Sequence, residues 1–258
     1  MLKKERLITI TKLTNKKGII TVNEIVKRLA VSNMTVRRDL DELASDNHLI
    51  RIHGGAQSIH YIKEKELSRI EKQSIHVAEK SQIAHIVANK INNGETVFLG
   101  PGTTNELVVE FLDVDYIRLV TNSLPVFEAF KTHSNYELCL VGGTYRQHSG
   151  AFIGSLTNEF LTKLRMNKAF VSVNGVFNNN LTNASPEEGR TQSIALNNSH
   201  ERYAVADHYK INFEDFYSFY QLNNVDGLIT DSNISIQDIQ HYQTFTDVIT
   251  NKKYVKEI

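Results

Sequence analysis

The chain has 258 residues, enough for one small and one medium domain on a prior of about 100–200 residues per domain. Its 29 basic and 29 acidic residues cancel, yet residues 1–60 carry 11 Lys/Arg against 6 Asp/Glu, a surplus of +5 that the remainder offsets. One cysteine, Cys139, excludes a disulfide framework or a Cys-rich metal site, no apolar run approaches the ~20 residues that span a bilayer, and Met1 to Arg6 lead into no signal-peptide core. A cytoplasmic protein without membrane contact, metal or cofactor is expected, and the basic head on an acidic body favours a polyanion as the head's partner.

Leu7, Ile10 and Leu13 set a helical rhythm over Lys4 to Thr14, ending before Lys16-Lys17-Gly18. Thr21-Val22-Asn23-Glu24 has the form of a capping box, so a second short helix starts there with Ile25, Val26 and Leu29 facing inward. Ser32 is a good N-cap for a third helix, whose Val36, Leu40 and Leu43 line one buried face while Thr35, Arg37, Arg38 and Asp41 occupy the other. Two short helices with arginines near the start of the second suit the major groove, where arginine holds guanine bidentately. The alternative is a solvated face on a small helical bundle. The β run Asn47 to Ile52, ending at Gly54-Gly55, reads as a wing and favours DNA binding.

The run Val31 to Leu40, which includes Asn33, together with Ile52-His53-Gly54-Gly55-Ala56, resembles the DeoR family of bacterial sugar-metabolism regulators. The resemblance implies that Asn33, Thr35, Arg37 and Arg38 lie at the groove and His53 against the DNA backbone. Asp39 is expected to fix the helix or an arginine rotamer, because phosphate would repel a carboxylate.

Ser68 to Ala88 reads as a polar connecting helix. DeoR-like chains show a similar repeated Glu-Lys pair there, which carries Lys72 and Lys80 over as ligand or switch contacts. Then Thr96 to Leu99 runs as a strand into Gly100-Pro101-Gly102-Thr103-Thr104 and a helix from Glu106 to Leu112. Glycines that admit a phosphate, amides that point at it and threonine hydroxyls make Gly100, Gly102, Thr103 and Thr104 an anion loop, the alternative being an unliganded turn. It lacks the Gly-Lys-Ser/Thr ending and the third spaced glycine of the nucleotide motifs.

Further apolar strands stop in small or polar residues: Ile117 to Thr121 at Asn122, Glu137 to Val141 at Gly142-Gly143, Ala169 to Val173 at Asn174-Gly175, and Tyr203 to Ala206 at Asp207 and Lys210. Strands of this kind alternating with helices predict a mainly parallel α/β sheet with its ligand beyond the carboxyl ends of the strands. Asn122, Gly143, Asn174, Asp207 and Lys210 are therefore site candidates, joined by Glu188 from the 183–190 stretch that is expected to close over the sugar, with Arg190 as an added anion contact. This half resembles the DeoR-type sensor domain, similar in fold to ribose 5-phosphate isomerase. The isomerase's Asp-Gly-Ala-Asp loop matches Asn174-Gly175-Val176 here, without its acids, so binding without turnover is expected.

The predicted organisation is a winged helix-turn-helix over 1–58, a connector over 59–80 and a sugar-phosphate sensor over 81–258. The stretches 100–104, 121–127 and 212–222 resemble a lactose and galactose subgroup of the family in Gram-positive cocci, which implies tagatose 6-phosphate as effector. A homo-oligomer, dimer or tetramer, that represses operator DNA is the expected function. An activator of the same build is the nearer alternative and a sugar-phosphate isomerase the distant one.

Overall fold

The computed structural model describes residues 2–46, 48–52, 54–58 and 67–251. The chain divides into two compact units, Met1–Lys65 and Glu66–Ile258.

Unit 1 comprises α1 (Lys3–Lys17), β1 (Ile19–Thr21), α2 (Val22–Leu29), α3 (Asn33–Ser45), β2 (Ile50–Ile52) and β3 (Gly55–Gln57). Helix α1 runs one turn beyond the sequence expectation and stops at Gly18, whose φ of 77° suits a residue without a Cβ and whose N–H caps the Thr14 carbonyl. The capping box forms as expected: the Glu24 N–H donates to Thr21 Oγ1 at 3.2 Å and the Thr21 N–H to Glu24 Oε2 at 2.9 Å. Ser32 Oγ accepts from the Thr35 N–H at 3.2 Å and starts α3. Ile10, Ile25, Val36, Leu40 and Leu43 meet in one core, each fully buried aliphatic contributing about 1.5–3 kcal/mol. The wing is a three-stranded sheet, β1-β3-β2, of which β1 was not expected. Gly55 permits it, because a Cβ there would lie 2.3 Å from the Ile20 carbonyl oxygen of β1.

Unit 2 begins with α4 (Arg69–Gln73) and α5 (Val77–Asn89). The single polar helix expected from Ser68 to Ala88 is two helices, broken at His76, whose φ is 53°. Its second half is no connector, because Ile83, Ala84 and Val87 are fully buried in the core of unit 2. Then follow β4 (Thr96–Leu99), a 3-10 helix (Asn105–Phe111) where an α-helix was expected, β5 (Arg118–Thr121), α6 (Leu124–Phe130), β6 (Glu137–Leu140), β7 (Thr144–Arg146), β8 (Ala151–Ile153) and α7 (Ser155–Thr162). The chain continues through β9 (Met166–Ser172), β10 (Gly175–Phe177), β11 (Asn180–Asn183), α8 (Pro186–Asn197), β12 (Ser199–Val205), β13 (Tyr217–Gln221), β14 (Gly227–Ile229), α9 (Ile236–Tyr242) and β15 (Val248–Ile249).

Seven strands form the expected parallel sheet, in the order β15-β14-β12-β9-β4-β5-β6. Side chains alternate across it. Val97, Leu99, Leu119 and Phe170 pack under α5, the 3-10 helix and α6, while Phe98, Val120, Ala169 and Val171 pack with Leu161 of α7 and Leu196 of α8. Burial on both faces is why these strands read as unbroken apolar runs. Cys139 is only half-buried, since β6 is an edge strand. From β4 the chain steps outward through β5 and β6, and from β9 it steps the other way through β12, β14 and β15, so the order reverses between β4 and β9. Ligands in open α/β sheets sit beyond the strand ends at such a reversal.

Candidate functional site

On the outer face of α3, Asn33, Arg37 and Arg38 are exposed and Thr35 is half-buried. Arg37 and Arg38 make no ion pair among the described residues, whereas Arg6 and Arg51 are both engaged within the unit. Asp39 turns inward at 2% exposure, and Arg6 from α1 holds it through Nε and, at 2.9 Å, Nη2. It therefore fixes the helix through an arginine. Arg51 ties the wing to α3, donating from Nε to Asp41 Oδ1 at 2.7 Å and from Nη1 to the Gly55 carbonyl. His53, expected at the DNA backbone, lies outside the described residues. Met34 was not singled out in the sequence, yet it is 62% exposed and shares a face with Arg37 and Arg38 at i+3 and i+4. An apolar side chain there suits a thymine methyl.

In unit 2 a cleft opens at the β4/β9 reversal. Gly102, Thr103 and Thr104 follow β4; Ser172 and Asn174 end β9; Lys210 follows β12. Asn183, Glu188 and Gln192 come from β11 and α8, Ser149 from the β7–β8 connection, and Arg69 and Lys72 from α4. The Gly102, Thr103 and Thr104 amides donate to no backbone carbonyl among the described residues. Gly102 has a φ of 152°, and a Cβ there would fall 2.4 Å from Ser172 Oγ. Ser172 Oγ is itself buried with no hydrogen-bond partner among the described residues. This end of the cleft offers donors and Lys210, whose Nζ lies 3.9 Å from Asp207 Oδ2.

The remaining lining groups include side-chain amides, one carboxylate and Lys72. Asn174 Oδ1 accepts from Lys72 Nζ at 3.1 Å, and its Nδ2 donates to Asp215 Oδ2 at 2.9 Å. Glu188 is 5% exposed; its Oε1 accepts from Arg146 Nη1 at 3.2 Å and from the Ser149 hydroxyl. Gln192 Nε2 donates to the Ser172 carbonyl at 3.1 Å and its Oε1 accepts from Asn183 at 2.9 Å. Amides and a held carboxylate in one cleft with a donor-rich loop suit a ligand that carries both hydroxyls and an anion.

Arg69 also lines the cleft. Its Nε and Nη2 donate to the two carboxylate oxygens of Glu106 at 2.8 and 2.7 Å, and this hydrogen-bonded carboxylate holds the guanidinium above its ordinary pKa. Arg69 was hidden by the single-helix expectation for 68–88. Ser149 carries no sequence signal of its own, because a chain reversal between β7 and β8 brings it in, whereas Asn183 opens the 183–190 stretch that was expected to close over the sugar.

Six sequence candidates do not line the cleft. Gly100 supports the loop: its N–H donates to the Phe170 carbonyl at 3.0 Å and its carbonyl accepts from Asn105 Nδ2 at 2.9 Å. Asn122 is buried, donating to the Phe152 carbonyl at 2.8 Å. Gly143 packs on α7, where a Cβ would lie 2.0 Å from Thr157 Oγ1. Both follow strands on the far side of β4 from β9, which removes them from the reversal. Lys80 is 3% exposed and donates to the carbonyls of Lys72 and, at 2.7 Å, Ile75, so it fixes the α4–α5 corner. Burial, then the neighbouring Lys210 charge, lower its pKa. Asp207 is buried beside Lys210. Arg190 points away too, lining a separate hollow with Glu159 and Glu187 between α7 and α8.

The segment after β12 is clasped to α5. The His76 ring stacks on Tyr209 at 3.8 Å, and His208 Nδ1 lies 2.9 Å from the fully buried Asp231. Burial works to lower the His208 pKa, but the Asp231 carboxylate outweighs it, so the value is raised; Asp231 is held below its ordinary range despite its burial. The charged pair therefore stabilises the fold fully between about pH 4 and 6.5, the ordinary carboxylate and imidazole values. That stability is lost as pH rises through the raised His208 pKa, or falls through the lowered Asp231 pKa. The expected result is a thermal midpoint that declines from pH 6 to 9 more steeply in the wild type than in His208→Gln. Parallel curves would show that the pair does not titrate in this window.

Family models match both units: the DeoR-like helix-turn-helix domain at residues 6–61 and the DeoR C terminal sensor domain at residues 75–232. The chain belongs to the DeoR family. Within that family it is similar to the lactose phosphotransferase system repressor of Streptococcus mutans, 44% identical over 251 residues that cover 96% of this chain and 100% of the relative. The repressor of the same name from Staphylococcus aureus is 42% identical over the same shares. Among solved structures, ribose 5-phosphate isomerase A from Methanocaldococcus jannaschii is similar over 51% of this chain and 53% of its own, at 16% identity and a TM-score of 0.37. No helix among the described residues is long and apolar enough to cross a membrane.

Proposed function

We propose that this DeoR-family protein is a cytoplasmic transcriptional repressor of sugar-catabolic genes, which binds paired operator half-sites as a homo-oligomer, dimer or tetramer, and is released by a phosphorylated sugar. The observation that carries the reading is a cleft lined by cations, side-chain amides and loop amides that donate to no backbone carbonyl among the described residues, in a chain whose other unit is a helix-turn-helix with two exposed arginines that make no ion pair among the described residues. The relatives are named lactose phosphotransferase system repressors, which supports repression and lactose catabolism; galactose catabolism and tagatose 6-phosphate as effector belong to the proposal. Thr35, Arg37, Arg38, Asn33 and Met34 meet the major groove, while Gly102 to Thr104 and Lys210 hold the phosphate. Lys72, Asn174, Asn183, Glu188 and Gln192 hold the sugar hydroxyls. Binding without turnover is supported by Glu188, whose engagement with Arg146 and Ser149 leaves it poorly placed as a base.

A ligand shifts an equilibrium only through differential affinity, so the sugar phosphate must bind the DNA-free conformation more tightly, by about 10⁴-fold to carry a full switch from 1:99 to 99:1. The test is operator affinity of the full chain on its own upstream DNA, titrated with a panel of sugar phosphates at two salt concentrations. Release by one phosphorylated sugar, with a steep salt slope, is the expected result. Operator affinity indifferent to every sugar phosphate would sink the reading.

A further inference from the structure

We propose that Glu106 is a built-in competitor for the ligand's anion: Arg69 exchanges this carboxylate for the incoming phosphate as the cleft fills. The inference rests on the cleft being a phosphosugar site and adds the element that sets its threshold. Arg69 lines the cleft together with Gly102, Thr103 and Thr104. Its fork is already filled bidentately by Glu106, which sits in the 3-10 helix directly after that loop with a side chain only 12% exposed. A guanidinium fork matches carboxylate and phosphate equally well in geometry, so the two compete for one set of donors. Gln73 Nε2, 3.5 Å from Glu106 Oε2, offers the carboxylate a second donor on the same helix when Arg69 leaves.

The tethered carboxylate is present at high effective concentration, which selects against weak ligands. A neutral sugar brings nothing to displace it. A phosphate that also takes the free amides of Gly102 to Thr104 does. The exchange acts on α4, the first described element of unit 2 in chain order, which is also held by Lys72 on Asn174, by Lys80 on the Lys72 carbonyl and by the Arg69 N–H on the His148 carbonyl at 2.8 Å. Moving the guanidinium from Glu106 to a ligand therefore re-aims the helix that leads back towards the DNA-binding unit along the chain.

The test is calorimetric titration of the full chain with inorganic phosphate, tagatose 6-phosphate and unphosphorylated tagatose. It compares wild type, Glu106→Gln, Arg69→Gln and the double variant, with thermal unfolding run on each. Glu106→Gln should tighten both phosphorylated probes about tenfold, the size of one charged hydrogen bond, and leave tagatose unchanged. Arg69→Gln should weaken them, and the double variant should match Arg69→Gln, because without the fork there is nothing to compete for. Should Glu106→Gln fold poorly, Glu106→Asp withdraws the carboxylate by one methylene and should tighten in the same direction by less. A folded Glu106→Gln that binds phosphate no better, or gains equally with Arg69 absent, overturns the exchange while leaving the phosphosugar site standing. A wild type that binds neither phosphorylated probe removes the site itself, and the exchange with it.

Discussion

Replacing Arg37 or Arg38 by alanine is expected to weaken operator binding about ten- to a hundredfold for each half-site, a loss of about 1–3 kcal/mol. Both side chains are exposed and unpaired among the described residues, so nothing inside unit 1 has to be broken for them to reach DNA, and nothing inside it should collapse when they are removed. The two possible roles separate by measurement. If an arginine reads a guanine, its loss falls mainly on the operator and spares scrambled DNA. If it neutralises a phosphate, both weaken alike and the salt slope falls by about one. Fluorescence anisotropy on the two duplexes at two salt concentrations distinguishes them, with the exposed Lys12→Ala on α1 as the control. Unchanged affinity in both arginine variants would remove α3 from the groove. Arg6→Ala is a different kind of change, because it strands the buried Asp39 carboxylate and costs unit 1 stability.

The second large effect is expected in the cleft. In Gly102→Ala the new Cβ would lie 2.4 Å from Ser172 Oγ and 2.6 Å from Ser172 Cβ, at a φ of 152° that side chains rarely adopt. Overpacking and backbone strain cost about 1–3 kcal/mol each, so the loop must move off its strand end and carry the Thr103 and Thr104 amides with it. Sugar-phosphate affinity should fall about a hundredfold. Operator binding without ligand should stay near that of the wild type, giving a repressor that sugar phosphate no longer releases. Adding Ser172→Gly relieves the contact but not the backbone preference, so it should restore only part of the affinity. Full ligand response in Gly102→Ala would show that the phosphate binds elsewhere.

Local signals made much of the fold legible. The Thr21–Glu24 box and the Ser32 cap start their helices where the residues announce them, and the buried strands of the large sheet declare themselves as apolar runs because both of their faces are covered. What escaped depends on partners distant in sequence. Strand β1 is three residues without a turn signal and exists only because β3, with Gly55, lies against it. The break between α4 and α5 falls at His76, an ordinary helix residue whose ring is taken by Tyr209, more than a hundred residues later. In the cleft, Gly102 to Thr104, Asn174 and Lys210 were readable as strand ends, but strand ends alone do not give the order of the sheet. That order places Asn122 and Gly143 on the wrong side of β4. Gln192 lies at no strand end, and only the packing of α8 against β9 turns it towards the cleft.

Helix α4 is five residues long and buries none of them, while isolated helices shorter than about 12–15 residues do not persist in water. Its order therefore comes from Arg69, Lys72 and the carbonyls that Lys80 holds, all of them at or beside the cleft. The free energy of local opening there belongs at the low end of the molecule's range, far below that of the sheet. Amide hydrogen exchange at residues 70–73 is thus a direct clock on whether the cleft is filled, one that runs inside the native state, with no DNA present and no global unfolding required.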